Sequence, residues 1–372
     1  MSHAIIEAQL LPVDLEPVEV CPVCSSADRC ALFVTHDQLC GLPGDFELAK
    51  CSNCELLYLQ ERPDARTIGR YYPSGSYYAY KPPASYSLFW QKGALASIWY
   101  AMKRGILARD YNYQHLGGSR LLALVAALPF LRTLRSRGTF QLQILLHPYV
   151  KDGSLLEVGC GSGMYLDLMR ALGWRRVVGV DISSKAIQQA KDDLGIEAYC
   201  GNLEDAQLES GSFDAVSLSH TLEHLPEPTR FLREVNRLMK PGGRLAVVVP
   251  NISGLGAKKF GENWYHLDSP RHLVNFNRRS LSIAISRAGF ELESLTTSPR
   301  IAYETALFSY SRKAGDDPSI YTRTEQRFSA GRRARARLLA WREHAACAMS
   351  LPAGEELMAV AVKPGNKRGQ GN

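Results

Sequence analysis

The sequence predicts an α/β protein built on a mainly parallel β-sheet. From Ser154 onward, short apolar strands alternate with helical segments, which is typical of strands buried between layers of helices. Hydrophobic residues make up 45% of the 372-residue chain and charged residues 22%, so a sizeable core can form and extensive disorder is not expected. The length suggests two domains, or one domain with large attachments.

Glycine, proline and capping residues set the expected limits of the helices. Ser183 or Ser184 caps one helix that ends near Gly195, Gly173 closes another, and Pro241-Gly242-Gly243 closes a third before the next strand. We expect strands at 31–35, 56–59, 155–158, 176–180, 213–219, 245–249, 290–296 and 357–362, and helices at 164–172, 183–195, 229–239 and 278–288.

Composition divides the chain into four expected segments. Residues 1–62 are a leader and a cysteine-containing module, 63–150 a tyrosine-rich loop and a helical cap or linker, 151–364 the α/β domain with a basic helical insert at about 300–350, and 365–372 a flexible tail. The 121–137 segment is apolar and then arginine-rich, so it could lie in a membrane interface, cap a site or pack between domains.

Charge and hydropathy bear on location and partners. No apolar run reaches about 18 residues, and the first 20 residues have neither a basic start nor a long apolar stretch. We therefore expect a cytoplasmic protein, with a peripheral contact to the inner membrane face as an alternative. The chain has a net charge of +7, and residues 323–342 contain seven arginines and one acid. This stretch could bind phosphate groups, acidic lipid or RNA, or be a solvated helix face.

Two Cys-x-x-Cys pairs indicate a metal site. Cys21-Pro-Val-Cys24 and Cys51-Ser-Asn-Cys54 provide four thiolates, the ligand set of a closed, tetrahedral structural zinc site. A module of this size builds little core, so a metal would stabilise it directly. An iron–sulfur site and free thiols are the alternatives, and the odd total of nine cysteines does not suggest a disulfide framework.

A glycine-rich turn follows the first strand of the α/β region. Gly159, Gly161 and Gly163 let the backbone turn tightly and approach a ligand. Asp181 ends the next strand, where a carboxylate can accept hydrogen bonds from both hydroxyls of a ribose. A dinucleotide site would have its third glycine one residue later, where Met164 stands.

These motifs together resemble those of a known family. The stretches LLEVGCGSG, VVGVDIS, SFDAVSLSHTLEHLPEP and LMKPGGRLAVVVPN, between residues 155 and 251, resemble the core of class I S-adenosylmethionine-dependent methyltransferases, and weaker similarity extends through HLDSPRHLVNFNRRSL. The resemblance implies a Rossmann-like, seven-stranded sheet with an antiparallel last strand and flanking helices. It also implies that these residues line the S-adenosylmethionine site: Glu157, Gly159, Gly161, Gly163, Asp181, Ile182, Asn202, Leu203 and Ser219.

Histidines are the expected catalytic bases. Methyl transfer to a hydroxyl requires alignment and removal of a proton, and histidine titrates near neutrality. His220 and His224 follow the fourth strand of the α/β region, and His266 and His272 follow the fifth. Ligands bind beyond the carboxyl ends of such strands, so any of the four could serve, or His224 could simply tie down its loop.

The acceptor is expected to be a small molecule. The zinc module, the tyrosine-rich loop and the core together resemble bacterial methyltransferases of sugar and glycan pathways, which implies O- or C-methylation of a sugar, nucleotide sugar or glycan intermediate that could bear phosphate. The alternatives are an RNA methyltransferase with a zinc module, a quinone-type lipid-phenol O-methyltransferase, and a non-catalytic cofactor-binding scaffold. Against RNA, the fourth strand ends in Ser219-His220 instead of a base-methylating Asn-Pro-Pro-Tyr-like motif.

Overall fold

The computed structural model describes residues 14–72, 94–119, 121, 124, 147–316 and 328–365. The expected leader before residue 14, most of the 73–146 cap or linker with its 121–137 segment, the arginines at 323 and 327, and the end of the tail lie outside these residues. Of the tyrosine-rich loop, Tyr71 and Tyr72 are described.

Within the described residues the chain forms strands and helices that are numbered here in chain order. The strands are Leu15–Pro17 (β1), Arg29–His36 (β2), Asp45–Cys51 (β3), Leu57–Leu59 (β4), Glu61–Pro63 (β5), Ser154–Val158 (β6), Arg176–Asp181 (β7), Glu197–Cys200 (β8), Phe213–Ser219 (β9), Met239–Pro250 (β10), Val274–Asn275 (β11), Glu291–Ser298 (β12) and Glu356–Val362 (β13). The α-helices are Ala94–Asp110 (α1), Met164–Ala171 (α2), Ser184–Leu194 (α3), Pro228–Leu238 (α4), Leu255–Phe260 (α5), Arg278–Arg287 (α6), Ala302–Lys313 (α7) and Ala330–Ala348 (α8).

The chain folds into two compact units. The first unit contains the described residues of Met1–Tyr78, His220–Arg233 and Val248–Ala359. The second unit contains the described residues of Ala79–Ser219, Glu234–Val247 and Val360–Asn372.

The main sheet confirms the predicted fold class. Seven strands follow one another in the order β12-β13-β10-β9-β6-β7-β8, and the last strand of the chain is antiparallel. The central strand β6 pairs in parallel with β7 and β9, and β7 pairs in parallel with β8. The strands of this core are apolar because both faces of the sheet are covered. Five of their side chains are fully buried: Leu155, Leu156, Val178, Val216 and Leu218.

Several helix ends follow the expected capping rules. The Ser183 side chain accepts a hydrogen bond from Ala186 N at the start of α3, and Gly195 ends that helix in the left-handed conformation. Asn277 and Ser280 form a reciprocal capping box at the start of α6.

One expected boundary was wrong. Pro241, Gly242 and Gly243 were expected to separate a helix from the strand, but α4 ends at Leu238 and β10 begins at once with Met239, so the three residues lie inside the strand. Gly242 has φ of +79° and donates its N–H to Lys363 O at 2.8 Å, and a Cβ on Gly243 would lie 2.9 Å from Lys240 O. The glycines therefore permit a local irregularity that the strand continues through.

The first unit contains a second, four-stranded sheet with the order β11-β4-β3-β2. Strands β2 and β3 of the cysteine module pair antiparallel, with an irregularity in register between Ala31 and Phe33. The two-residue strand β11 was not expected, because Val274 and Asn275 are too few to form a recognisable pattern. It joins the sheet by pairing with β4, with Val274 opposite Tyr58, so a segment distant in the chain completes the sheet of the cysteine module.

No helix among the described residues is both long enough and apolar enough to cross a lipid bilayer.

Candidate functional site

The glycine-rich turn of the second unit connects β6 to α2. Gly161 has φ of +52°, and a Cβ built there would meet no atom within 4 Å, so its backbone faces open space. Gly163 has φ of +78°, and its Cβ would come within 3.2 Å of Ala190 Cβ. The first of these glycines leaves room for a ligand, and the second lets α2 pack closely against α3.

Asp181 at the end of β7 is held by one backbone group of this turn and by one of the residues that follow β7. Its Oδ2 atom accepts from Gly161 N and its Oδ1 atom accepts from Ser183 N, both at 2.8 Å. A carboxylate has about four acceptor positions, so two remain for the hydroxyl groups of a ribose.

Glu157 is the acid that leads the turn, and it is buried. Among the described residues its Oε2 atom has no hydrogen-bond partner. Burial raises the pKa of Glu157 well above its usual value, and the charge of Asp181 raises it further. A buried, unsatisfied carboxyl group beside an open glycine turn calls for a polar ligand, so these residues fit the amino-acid half of S-adenosylmethionine.

The remaining predicted cofactor residues lie at or just beyond the ends of β7, β8 and β9. Ile182 is 66% exposed, an unusual position for a large apolar side chain. Asn202 is exposed and its Nδ2 atom donates to Asp205 Oδ2 at 3.2 Å, while the neighbouring Leu203 is buried. Ser219 is half-buried at the end of β9.

The four candidate histidines, all in the first unit, form a compact cluster with buried carboxylates. His220 lies between two of them, with Nδ1 3.2 Å from Glu223 Oε1 and Nε2 3.0 Å from Glu356 Oε1. Burial opposes the charged form of His220, but the two carboxylates outweigh this effect and raise its pKa to about 9. Arg300 forms a further ion pair with Glu356, so His220 belongs to a buried ion network and is protonated at neutral pH.

His224 is half-buried like His220, but its Nδ1 atom contacts a hydroxyl and a carbonyl oxygen instead of a carboxylate. Its Nδ1 atom lies 3.0 Å from the Tyr72 hydroxyl and 3.0 Å from Arg271 O. Since a carbonyl oxygen can only accept, Nδ1 carries the proton, and in the neutral ring Nε2 then carries the lone pair. His272 packs edge-on against this ring at 4.7 Å.

His272 is buried, His266 is half-buried, and both are neutral. Burial and the nearby His224 lower the pKa of His272 to about 4, and its Nδ1 atom donates to His266 O at 2.7 Å. Burial and the charge of His220 lower the pKa of His266 to about 3, and its Nε2 atom lies 3.0 Å from Thr305 Oγ1. The ligand atoms of Glu223, His224 and His272 lie within 4.8 Å of one another, so these three residues could also share a cation.

A fully buried arginine fixes this cluster, and the sequence did not identify it. Arg271 donates from Nη2 to Asp37 Oδ1 at 2.6 Å and to Asp268 Oδ1 at 2.7 Å, and from Nη1 to Tyr71 O at 3.1 Å. Asp37 lies in the cysteine module, 234 positions before Arg271. The adjacency of Arg271 to His272 was the available signal, and nothing in the sequence pointed to Asp37 or Tyr71 as neighbours of Arg271.

The four paired cysteines converge in the first unit. Cys21 Sγ lies 3.5 Å from Cys54 Sγ and Cys24 Sγ lies 3.4 Å from Cys51 Sγ. All four are buried and unoxidised, and their sulfur atoms lie within 4.8 Å of one another. Four thiolates around zinc at about 2.3 Å are separated by about 3.8 Å, so the arrangement fits a tetrahedral ion. Cys30, between the pairs, is exposed and outside the cluster.

Comparison with known proteins identifies the central part of the chain. Residues 130–295 match the family described as "Methyltransferase domain". The chain is 28% identical over 184 residues to an uncharacterised 37.1 kDa protein in transposon TN4556 of Streptomyces fradiae, covering 48% of this chain and 53% of that protein. It is 36% identical over 97 residues to a ubiquinone biosynthesis O-methyltransferase of Xanthomonas oryzae pv. oryzae, covering 24% of this chain and 40% of that one.

Among solved structures, an S-adenosylmethionine-dependent methyltransferase from Mesorhizobium loti is 17% identical, with 63% of this chain and 98% of that chain covered and a TM-score of 0.39. The chain spans about half or less of the length of the curated relatives that it matches. The glycine turn and Asp181 lie within the residues that match the methyltransferase domain family.

Proposed function

We propose that this protein transfers the methyl group of S-adenosylmethionine to a small-molecule acceptor, namely a sugar, a nucleotide sugar or a glycan intermediate, at oxygen or carbon. The observation that carries the proposal is the glycine turn with Asp181. In one short stretch it combines open backbone, an oriented carboxylate and a buried carboxyl group in need of a partner.

The residues of the turn would bind and orient the cofactor. Asp181 would accept from the ribose hydroxyls, Glu157 would meet the amino-acid half, and Asn202, whose Nδ2 is directed to Asp205, would accept from the adenine amino group through Oδ1. When bound, S-adenosylmethionine supplies a methyl group on a good leaving group. The protein therefore has to align the acceptor and remove its proton.

His224 is the base that the geometry favours. Both ring nitrogens of His220 face carboxylates, and its raised pKa keeps it protonated. The pKa of His266 is lowered to about 3 and that of His272 to about 4, which makes both weak bases. His224 is half-buried, and its Nδ1 proton is directed to Arg271 O, which leaves Nε2 to take a proton from the acceptor.

O-methylation of a phenolic lipid is a second candidate. It is supported by relatives named ubiquinone biosynthesis O-methyltransferase, which share 34–38% identity over about a hundred residues. The two candidates differ in the acceptor and share the cofactor site.

Calorimetric titration of S-adenosylhomocysteine tests the proposed function. We expect micromolar binding to the wild type, weakened about 10–100-fold in Asp181→Ala, because hydrogen bonds to a charged group are lost. Asp193→Ala is the matched control, since Asp193 is an exposed acid in α3. If the folded wild type does not bind, the proposal fails. Binding justifies an acceptor screen with radiolabelled methyl donor, first with nucleotide sugars and then with phenolic quinone precursors.

We also propose that the four-cysteine cluster holds structural zinc. Four protein thiolates complete a tetrahedral shell and leave no position for an acceptor, so the ion would stabilise the module instead of catalysing. Elemental analysis should find about one zinc ion per chain, and little iron, in the wild type and in Cys30→Ala, but not in Cys54→Ala. Iron with visible absorbance, or equal zinc in both variants, would contradict this assignment.

A further inference from the structure

A basic cavity lies apart from the histidine cluster in the first unit, where α5, α7 and the start of α8 meet. Its volume is about 530 Å³, within the range of small-molecule sites. Its walls are formed by these residues: Lys259, Phe260, Tyr310, Lys313, Ala314, Ser329, Gly331, Arg332 and Arg335.

Four of these side chains are cations and none is an acid. Lys313 and Arg335 are exposed, and neither forms an ion pair within the described part of the chain. Arg332 is oriented by an ion pair with Asp316 and by a 3.0 Å hydrogen bond from Nη1 to Ser311 Oγ. Like charges gathered around one cavity repel each other, so the arrangement favours an anionic ligand.

The aromatic walls contact the cation of Lys259, and the start of α8 adds to the positive potential of the cavity. Phe260 and Tyr310 pack edge to face at 4.8 Å, and Lys259 Nζ lies 6.0 Å and 5.9 Å from their ring centres, which fixes the ammonium group by cation–π attraction. The start of α8, with Gly331 open toward space, adds the partial positive charge of the N-terminus of a 19-residue helix.

We propose that this cavity binds the phosphate or diphosphate group of the methyl acceptor. The three cations outside the Arg332–Asp316 pair match the charge of a diphosphate ester, and Arg335 offers the planar fork that suits phosphate oxygens. This inference rests on the proposed function, because it assigns the anionic end of that acceptor to a site separate from the base.

Helix α7 connects the cavity to the histidine loop. Tyr310 and Lys313 line the cavity, while other residues of the same helix hold residues 264–266. Ser309 Oγ accepts from Tyr265 N at 2.9 Å, Arg312 Nη1 donates to Trp264 O at 2.8 Å, and Thr305 contacts His266. A phosphate bound in the cavity therefore lies on the helix that positions the histidine loop.

A diphosphate can belong to a soluble nucleotide sugar or to a lipid-linked intermediate, and the test separates the two sources. Inorganic pyrophosphate and uridine diphosphate are titrated into the full-length protein by calorimetry. Binding to phosphatidylcholine vesicles with and without phosphatidic acid is measured by sedimentation. The variant Lys313→Gln/Arg335→Gln removes two exposed lining charges, and Lys258→Gln/Arg342→Gln removes two exposed charges of α5 and α8 that do not line the cavity.

We expect pyrophosphate to bind the wild type and the control variant alike, and the lining variant about tenfold or more weakly. Binding of uridine diphosphate indicates a soluble acceptor, whereas binding to anionic vesicles that the lining variant alone loses indicates a lipid-linked one. No pyrophosphate binding, or equal weakening in both variants, overturns the inference.

S-adenosylhomocysteine titrated into the same preparations reports on the proposed function separately. If it binds and pyrophosphate does not, only the phosphate site is wrong. If pyrophosphate binds and S-adenosylhomocysteine does not, the assignment of this site to a methyl acceptor is wrong as well.

Discussion

The glycine turn of the second unit and the histidine cluster of the first unit are built in different ways. The turn presents backbone atoms and one carboxylate, and Gly161 and Asp181 lie only 20 positions apart. In the cluster, His224 contacts Tyr72 from 152 positions away, and Arg271 contacts Asp37 from 234 positions away. A site made of local backbone is visible in the spacing of residues, whereas a site made of distant side chains becomes visible only in the fold.

The cysteine module contributes to the second kind of site. Strand β11 begins two residues after His272 and pairs with β4 of the module. Leu59 N donates to Leu273 O at 3.2 Å, and Asn277 Nδ2 donates to Glu55 O at 2.8 Å. The loop that carries two of the candidate histidines is therefore held by the same sheet that brings the cysteines together. A metal in the module would stabilise this loop through the sheet.

The largest effect is expected at His224, if the two regions divide their tasks as proposed. The variant His224→Asn should lower kcat by about 10²–10⁴-fold with the acceptor found in the screen, because the base is lost. The affinity for S-adenosylhomocysteine should stay within about twofold, because the glycine turn is unchanged. Steady-state kinetics and calorimetry on the same preparation measure both quantities.

His115→Asn is the matched control for that variant, since His115 lies in the second unit and contacts Leu172 O. A variant at His224 that keeps nearly full kcat would show that the histidine only ties down its loop. The base would then have to be sought elsewhere.

A smaller effect, on stability, is expected at Arg271. Arg271→Gln would leave the carboxylates of Asp37 and Asp268 buried without their main cation, and breaking a buried ion pair costs about 3–5 kcal/mol of unfolding free energy. Urea denaturation measures this loss, with the exposed Arg279→Gln as control. A loss below about 1 kcal/mol would mean that the carboxylates find other partners and that Arg271 does not fix the cluster.

The sequence predicted the local parts of the fold and could not predict the long-range ones. The strands that flank the turn and the Ser183 cap followed from local patterns, and the seven-stranded sheet was implied by the family resemblance. Strand β11 could not be predicted, because two residues carry no periodicity. The Pro241-Gly242-Gly243 stretch was misassigned because its residues, which usually break a strand, here form an irregularity within β10.

The same limit applies to the candidate site. The two cysteine pairs were recognised by spacing, and the cysteines do converge. For the histidines, residue type suggested four equivalent candidates, and their environments separated them. Two carboxylates raise the pKa of His220, while burial lowers the pKa of His266 and His272. Glu356, which contributes to the first of these effects, lies 136 positions from His220 and had no signal in the sequence.

The smallest effect is expected at a buried acid pair beside the histidine loop. Glu343 and Glu355 are fully buried, and Glu355 Oε2 accepts from Trp264 Nε1 at 2.8 Å. Burial raises the pKa of Glu343 from 4.5 to about 7. Between these pH values the folded protein holds a proton that the unfolded chain has released, so this residue makes stability fall as pH rises from about 4.5 to about 7. Above that range the full cost of the buried charge remains.

Glu343→Gln should therefore be more stable than the wild type by about 1–2 kcal/mol near pH 8 and nearly equal to it near pH 5, because the neutral amide does not ionise. Urea denaturation at both pH values measures the difference. The exposed Glu291→Gln should show no such dependence. Equal stabilities of Glu343→Gln and the wild type near pH 8 would mean that Glu343 is neutralised by a partner. Glu343 contacts Glu355, which in turn accepts from Trp264 next to the histidine loop. Such a partner would therefore extend the network of buried side chains that distinguishes the first unit from the glycine turn.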